Sequence, residues 1–186
     1  MSPEEWAAQW LDDEETSRTG ASPRLIRYES QLLDGVPLDG EDRRLLTEVG
    51  LPDSAAPFLE FSSGLGLLGH LRKADAAPTG TSQYVEIGTN GSGDPICLAG
   101  DTGSVAYLNH DQGYEAVLVN SSVGRLAECL LAFRALVRAS LRENGREAYL
   151  DGDFSIAALD LARSVVGSVD PVCLRPGSMW HSELGL

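Results

Sequence analysis

Glycine, asparagine and aspartate are concentrated in one short segment, GTNGSGD, at residues 88–94. Its glycine spacing partly matches a phosphate-binding loop, but the Lys-Ser/Thr pair is absent and a strand-like segment follows instead of a helix. Oxygen-bearing side chains also partly match a calcium loop, although Pro95 occupies the position that requires glycine and the bidentate glutamate is missing. These side chains belong to Asn90, Ser92, Asp94 and Asp101. The segment therefore predicts a hairpin turn without a phosphate or metal site.

Nucleophilic and metal-ligating side chains are dispersed along the chain. The histidines have no second ligand at metal spacing; they are His70, His110 and His181. His110 could pair with Cys97, but Cys97 lacks the strained elbow or helix N-terminus that activates a nucleophile. Cys97, Cys129 and Cys173 all lie in apolar surroundings and predict buried thiols. We therefore expect no catalytic residue, no metal, no cofactor and no enzymatic activity.

The elements that would position these residues follow from periodicity. Four short apolar segments within 84–119 predict an antiparallel β-meander, since each is β-branched or aromatic and ends at a turn. A long amphipathic helix is predicted over 122–144, begun by a serine cap and laid across the sheet. Further helices are predicted over 2–15 and within 153–186. The pattern indicates a single α+β domain with a central antiparallel meander flanked by helices.

Shorter elements fill the remainder of the chain. Residues 24–28 and 58–61 predict strands, and a helix is predicted from Asp39 or Gly40 to Val49, stopped by Gly50. The glycine-rich segment 64–71 predicts a loosened strand or a turn. Near the C-terminus, a helix over 154–166 is expected to be capped by Asp151 or Asp153. Its predicted inward face is formed by Phe154, Ala157, Ala158, Leu161 and Val165.

Charge restricts the possible partners. The formal net charge is −14, and residues 1–121 alone hold 20 acidic and 7 basic side chains. Such a surface repels nucleic acid and anionic membranes and attracts basic partners. The acidic, amphipathic N-terminal segment does not match a signal peptide, and no segment approaches the roughly 20 apolar residues of a membrane span. We expect a cytoplasmic protein that binds neither membrane nor nucleic acid.

Three segments together resemble the SUKH superfamily, which includes fungal cell-wall-synthesis regulators and bacterial immunity proteins. They are VGLPDSAAPF at 49–58, YVEIGTNGSGDPICLAGDTGSVAYLNHD at 84–111 and LVNSSVGRLAECLLAF at 118–133. The order of the motifs is most similar to that in the fourth bacterial immunity group of the superfamily. They are a GLP segment, an IG strand, a GxV strand and a VNSS helix start. Weaker agreement continues through Val169-Asp-Pro171 and Met179-Trp180.

This resemblance implies an antiparallel sheet flanked by helices and a non-enzymatic role. The protein would bind and neutralise a cognate toxin used in competition between bacteria, and many such toxins target nucleic acid. The alternative within the same fold is a regulatory adaptor that binds host proteins and has no toxin partner. The family transfers no fixed set of binding residues, and the oligomeric state stays open.

The acidic charge suggests where a toxin would bind. Enzymes that act on nucleic acid present basic clefts, so an acidic inhibitor surface gains from steering and charge pairing. The meander turns predict one such patch, and the acidic end of the first helix could extend it. The candidate residues are Asp94, Asp101, Asp111, Glu115, Asp12, Asp13, Glu14 and Glu15. The alternative is that the acidic surface is merely solvated and binding occurs elsewhere.

Overall fold

A six-stranded antiparallel sheet, with its strands in chain order, forms the centre of the molecule. The computed structural model describes residues 1–12, 24–64, 66–74 and 76–186. The sheet strands are β3 (Ser54–Ala55), β4 (Leu59–Phe61), β5 (Tyr84–Asn90), β6 (Pro95–Ala99), β7 (Val105–Asn109) and β8 (Glu115–Asn120). The predicted α+β meander is thus confirmed, and two short strands extend it. The strand predicted at 58–61 becomes β4, where Phe61 pairs with Gly88.

The predicted covering helix, α4 (Val123–Asn144), forms the main core with one face of the sheet. Apolar residues recur along its inner side, and Leu126, Leu130 and Phe133 are at most 1% exposed. The Ser122 side chain accepts a hydrogen bond from the Arg125 backbone N–H and so caps the helix. No helix of the described residues is long and apolar enough to cross a membrane.

The opposite face of the sheet is partly covered by a short helix, α3 (Leu67–Lys73). Leu68 packs there against Cys97 and Leu108. The prediction of a strand or turn over 64–71 is therefore wrong. Gly66 provides no side-chain cap, but the Glu86 carboxylate on β5 accepts hydrogen bonds from the first two backbone N–H groups of α3, at 2.9 and 2.8 Å. A side chain 18 or more residues away thus supplies the missing cap.

The N-terminal helix, α1 (Pro3–Leu11), begins with the predicted capping box between Ser2 and Glu5. It packs on α4, where the Trp6 indole N–H donates to the Ala127 carbonyl at 2.7 Å. Arg134 of α4 lies over the Trp10 ring and donates to the last carbonyls of α1. The helix was predicted over 2–15; it ends at Leu11, and residues 13–15 lie outside the described chain.

A further helix, α2 (Gly40–Arg44), continues as a π-helical turn (Leu45–Val49) and stops at Gly50. This confirms the predicted helix and its end. Gly50 has a φ of +103°, and a Cβ atom there would lie 2.6 Å from the Ile26 carbonyl oxygen. Beside this contact, the two-residue strands β1 (Leu25–Ile26) and β2 (Leu51–Pro52) pair with each other.

The C-terminal third contains α5 (Ile156–Val169) and α6 (Met179–Glu183). Ser155 caps α5, so the predicted cap at Asp151 or Asp153 is wrong. The predicted inward face is also largely wrong, because Leu161 is 66% and Val165 is 38% exposed. The buried residues of α5 are Ala162 and Val166. Apolar residues occur around most of this helix, so periodicity did not define one face, and packing against α4 decided it.

Candidate partner-binding site

The GTNGSGD segment forms the predicted hairpin turn between β5 and β6. The Asn90 side-chain oxygen accepts hydrogen bonds from the backbone N–H groups of Ser92 and Asp94, at 3.0 and 2.9 Å. Its amide nitrogen donates to the Asp94 carboxylate at 3.0 Å. Gly93 supplies the left-handed residue of the turn, with φ at +81°. Asn90 and Asp94, two of the side chains that partly matched a calcium loop, therefore bind each other within the turn.

Asp94 joins this turn to the next one. Its carboxylate accepts hydrogen bonds from the His110 backbone N–H at 3.0 Å and contacts the His110 Nδ1 atom at 2.5 Å. Burial by itself would raise the pKa of Asp94, but the hydrogen bonds outweigh it and the pKa is lowered. The hydrogen bond that the His110 ring donates to the Asp94 carboxylate, together with the nearby Asp111 carboxylate, raises the pKa of His110. His110 is thus a turn histidine held between two carboxylates.

The Asp94–His110 pair was missed at the sequence level, although the strand register contains it. In the β6–β7 register Ile96 pairs with Tyr107. Continuing this register by two residues places Asp94 opposite Asn109, the neighbour of His110. Cys97 does not join this pair, because it is fully buried in the small core on the other face of the sheet. Burial raises the pKa of its thiol. No cluster of potential metal ligands occurs among the described residues.

A cleft with a volume of about 540 Å³ opens beside these turns. Its walls come from the loop before β4, the Asn90–Asp94 turn, strand β7 and helix α6. Two aromatic residues, Phe58 and Tyr107, and three acidic residues, Asp94, Asp111 and Glu183, line it. No lysine or arginine of the described chain lines the cleft. Its chemical character is therefore aromatic and acidic.

Phe58 is an exposed aromatic residue with a defined position. It is 59% exposed and has a φ of +51°, an uncommon conformation for a residue with a side chain. Its ring stacks on Tyr149 with 5.5 Å between centroids, and Tyr149 packs edge-on to the buried Phe133. Gly91 leaves room for it, since a Cβ atom there would lie 2.9 Å from the Phe58 Cβ. The exposed ring is anchored to the core.

Glu183 contributes a carboxyl group at the last residue of α6. The residue is exposed, yet neighbouring protein atoms partly desolvate the carboxyl group, and this desolvation raises its pKa. Within the described chain, no hydrogen bond or ion pair reaches this carboxylate. Burial, with a smaller contribution from the Glu183 charge, raises the pKa of Tyr149 to about 12. Glu183 is thus a partly desolvated acid that forms no ion pair with any residue the structure describes.

The structure separates the predicted acidic residues into distinct places. Asp111 and Glu115 are exposed at the cleft end of the sheet, whereas Asp94 is only 4% exposed and its carboxylate is engaged. Asp101 lies in the turn before β7, at the end of the sheet opposite the cleft. The two ends of β7 are roughly 14 Å apart, since four residue steps separate them at about 3.4 Å each. Asp12 is exposed at the end of α1, and residues 13–15 are outside the described chain. Sequence reasoning missed Glu183, because only the packing of α6 brings it to the cleft.

The VNSS segment, at the end of β8, forms a network of hydrogen bonds with the C-terminal part of the chain. Asn120 is 0% exposed and accepts a hydrogen bond from the Trp180 indole N–H at 2.8 Å. Its amide nitrogen donates to the Asp170 carboxylate at 3.0 Å. The same carboxylate accepts from the Ser121 backbone N–H and hydroxyl, at 2.8 and 3.0 Å. These contacts connect β8 to the two C-terminal segments that carried the weaker resemblance.

The first turn of α4 has a second, remote cap. The Asp42 carboxylate of α2 accepts hydrogen bonds from the backbone N–H groups of Gly124 and Val123, at 2.7 and 3.3 Å. Gly124 permits this approach, because a Cβ atom there would lie 3.0 Å from the Asp42 carboxylate. The residues that define the VNSS motif are therefore structural, and the cleft is a separate feature.

The meander, the covering helix and the acidic aromatic cleft define an α+β protein that presents a surface at one end of its sheet. The chain belongs to the SUKH-4 immunity protein family, whose model matches residues 4–185, nearly the whole chain. Membership implies an immunity function, the neutralisation of a protein toxin. No curated protein and no solved structure matches the chain.

Proposed function

We propose that this chain is a cytoplasmic, non-enzymatic immunity protein that binds the basic surface of a nucleic-acid-targeting toxin. The observation that carries the proposal is the acidic cleft, which no lysine or arginine of the described chain lines. An enzyme that acts on nucleic acid needs positive charge to hold phosphates, and an acidic protein competes for that charge. The family's immunity function supports a toxin as the partner.

Two of the exposed meander carboxylates would share the contact surface with the cleft. Asp111 and Glu115 lie at the cleft end of the sheet, so they would steer a basic partner towards it. Asp101 and Asp12 lie elsewhere and would act only through the long-range field. Salt would weaken that field, because exposed charges are screened beyond about 8–10 Å at ordinary ionic strength.

The proposal is tested with the product of the gene adjacent to this one. Co-expression of the intact protein should restore growth of a bacterium poisoned by that product. The purified pair should form a complex, and nuclease or deaminase activity of the product should fall as the complex forms. Failure of rescue and of complex formation would contradict a toxin partner; capture of host enzymes in its place would favour the regulatory adaptor.

The contact surface has its own test. Replacing Asp111 and Glu115 together by lysine should slow association about tenfold at low salt and flatten its salt dependence. Replacing Asp101 and Asp12 together by lysine changes the net charge by the same four units away from the cleft; this matched control should leave a smaller effect. Equal association rates for the Asp111 and Glu115 double variant and the unmodified protein would remove Asp111 and Glu115 from the surface.

A further inference from the structure

Building on the proposed function, we infer that the cleft receives an arginine side chain of the partner. The guanidinium would lie against the aromatic walls of Phe58 and Tyr107, with its N–H groups donating to the Glu183 carboxylate. The partner is therefore a protein that presents an arginine side chain at its surface. This inference concerns how the toxin is held, whereas the proposed function concerns whether one is held at all.

The walls of the cleft match the two kinds of contact that a guanidinium makes. Its flat face stacks on aromatic rings, and Phe58 offers such a ring with 59% of its surface exposed. Its edge presents several N–H donors in one plane, which suit a carboxylate with both oxygens available. Lysine has a compact ammonium group that stacks less well and is more strongly hydrated.

Glu183 is the acid that most requires a cation. The other two acids at the cleft have partners, since Asp94 engages His110 and Asp111 lies 3.4 Å from the His110 Nε2 atom. The Glu183 carboxylate has neither a hydrogen bond nor an ion pair within the described chain, although protein atoms desolvate it. An incoming guanidinium would compensate that desolvation, whereas a phosphate or a carboxylate ligand would be repelled.

The cleft is also large enough to admit an arginine side chain. Its volume of about 540 Å³ falls within the range of roughly 300–1,000 Å³ typical of ligand sites. Phe58 cannot fold away readily, because it stacks on Tyr149, which packs on the core. The aromatic wall is therefore formed before the partner arrives, which reduces the entropy lost on binding.

The test uses the full chain and small probes of known chemistry. Acetyl-arginine-amide is titrated into isotopically labelled protein and followed by NMR; acetyl-citrulline-amide is the neutral isostere and acetyl-lysine-amide the cation without a flat face. We expect weak, millimolar binding of the arginine probe, with shifts at Phe58, Tyr107 and Glu183. Citrulline should give no saturable shifts, and lysine should bind more weakly than arginine.

Matched variants separate the cleft from the general negative field. Glu183→Gln should weaken the arginine probe about tenfold, the usual effect of losing one charge-assisted contact. Phe58→Leu keeps an apolar surface without a ring and should remove the preference for arginine over lysine. Asp101→Asn removes one charge at the far end of the sheet and should leave binding unchanged. Thermal unfolding of each variant verifies that the fold is retained.

Equal shifts with arginine and citrulline, shifts that map away from the cleft, or unchanged binding by Glu183→Gln would each overturn the inference. With the adjacent-gene toxin, Glu183→Gln should dissociate faster than the unmodified protein. If the unmodified protein restores growth while Glu183→Gln binds equally tightly, the toxin is held elsewhere and the proposed function stands. If the arginine probe binds as expected but no toxin is neutralised, the proposed function fails alone.

Discussion

Removal of the Asp170 carboxylate should be one of the most destabilising single changes in the chain. Asp170 is 0% exposed, and its oxygens accept hydrogen bonds from the Asn120 amide and from the Ser121 backbone and hydroxyl. In Asp170→Ala the buried Asn120 amide and the partly buried Ser121 backbone N–H lose their partner. At about 2 kcal/mol for each unsatisfied donor, the free energy of unfolding should fall by about 4 kcal/mol.

Asp170→Asn should cost less, because an amide keeps the shape and one oxygen. That oxygen can accept from both the Asn120 amide and the Ser121 N–H, so only the contact with the Ser121 hydroxyl and the charge are lost. The Arg125 ion pair at 3.5 Å is half-exposed on the arginine side and contributes little. We expect a loss of about 1 kcal/mol for this variant.

Urea unfolding followed by circular dichroism measures both losses. With a denaturant slope of about 2 kcal/mol per molar urea, Asp170→Ala should lower the midpoint by about 2 M and Asp170→Asn by about 0.5 M. Asp160→Asn is the control, since its side chain is 63% exposed and pairs only with Arg163 in the same helix. Equal losses of stability in the two Asp170 variants, or a loss in Asp170→Ala no greater than in the Asp160 control, would refute this role of the Asp170 carboxylate.

Three further predictions concern other parts of the fold. The pKa of His110, measured by NMR titration, should exceed its usual value of about 6.5 and fall in Asp94→Asn. The stability from this pair is therefore present below about pH 6.5 where Asp94 is ionised. It is lost as pH rises through the folded-state pKa of His110 and as pH falls through the lowered pKa of Asp94. Val166→Ala should lower the free energy of unfolding, measured by heat or urea, by about 1–3 kcal/mol, whereas Leu161→Ala should lower it by under about 0.5 kcal/mol. Equal losses would support the inward face predicted from periodicity. Gly50→Ala should cost at least about 2 kcal/mol through its positive φ and the contact with Ile26, and a loss below about 1 kcal/mol would contradict that account.

The parts of the fold that were predicted correctly depend on neighbours in sequence. The capping box of α1 joins Ser2 to Glu5, three residues away, and the end of the π-helical turn at Gly50 depends on one backbone conformation. The hairpin at 88–94 is closed by bonds within itself. The inner stripe of α4 is strongly periodic over 22 residues, so its buried face is unambiguous.

The wrong predictions depend on contacts between distant segments. Helix α3 forms in a glycine-rich segment because Glu86 reaches its N-terminus from the sheet. Helix α5 is apolar on several sides, and its packing, chiefly against α4, selects Ala162 and Val166 as the buried residues. Local sequence preferences do not depend on contacts between distant segments, so periodicity and composition could not predict either contact.

The same distinction applies to the candidate site. The sequence by itself determined the meander, the turn at 88–94, the strong negative charge and the family resemblance. The tertiary structure alone decided which carboxylates can bind a partner. Asp94 is already hydrogen-bonded to His110, whereas the packing of α6 places Glu183 beside Tyr107. A carboxylate becomes a binding group through its burial and its neighbours, and both are set by chain segments far apart in sequence.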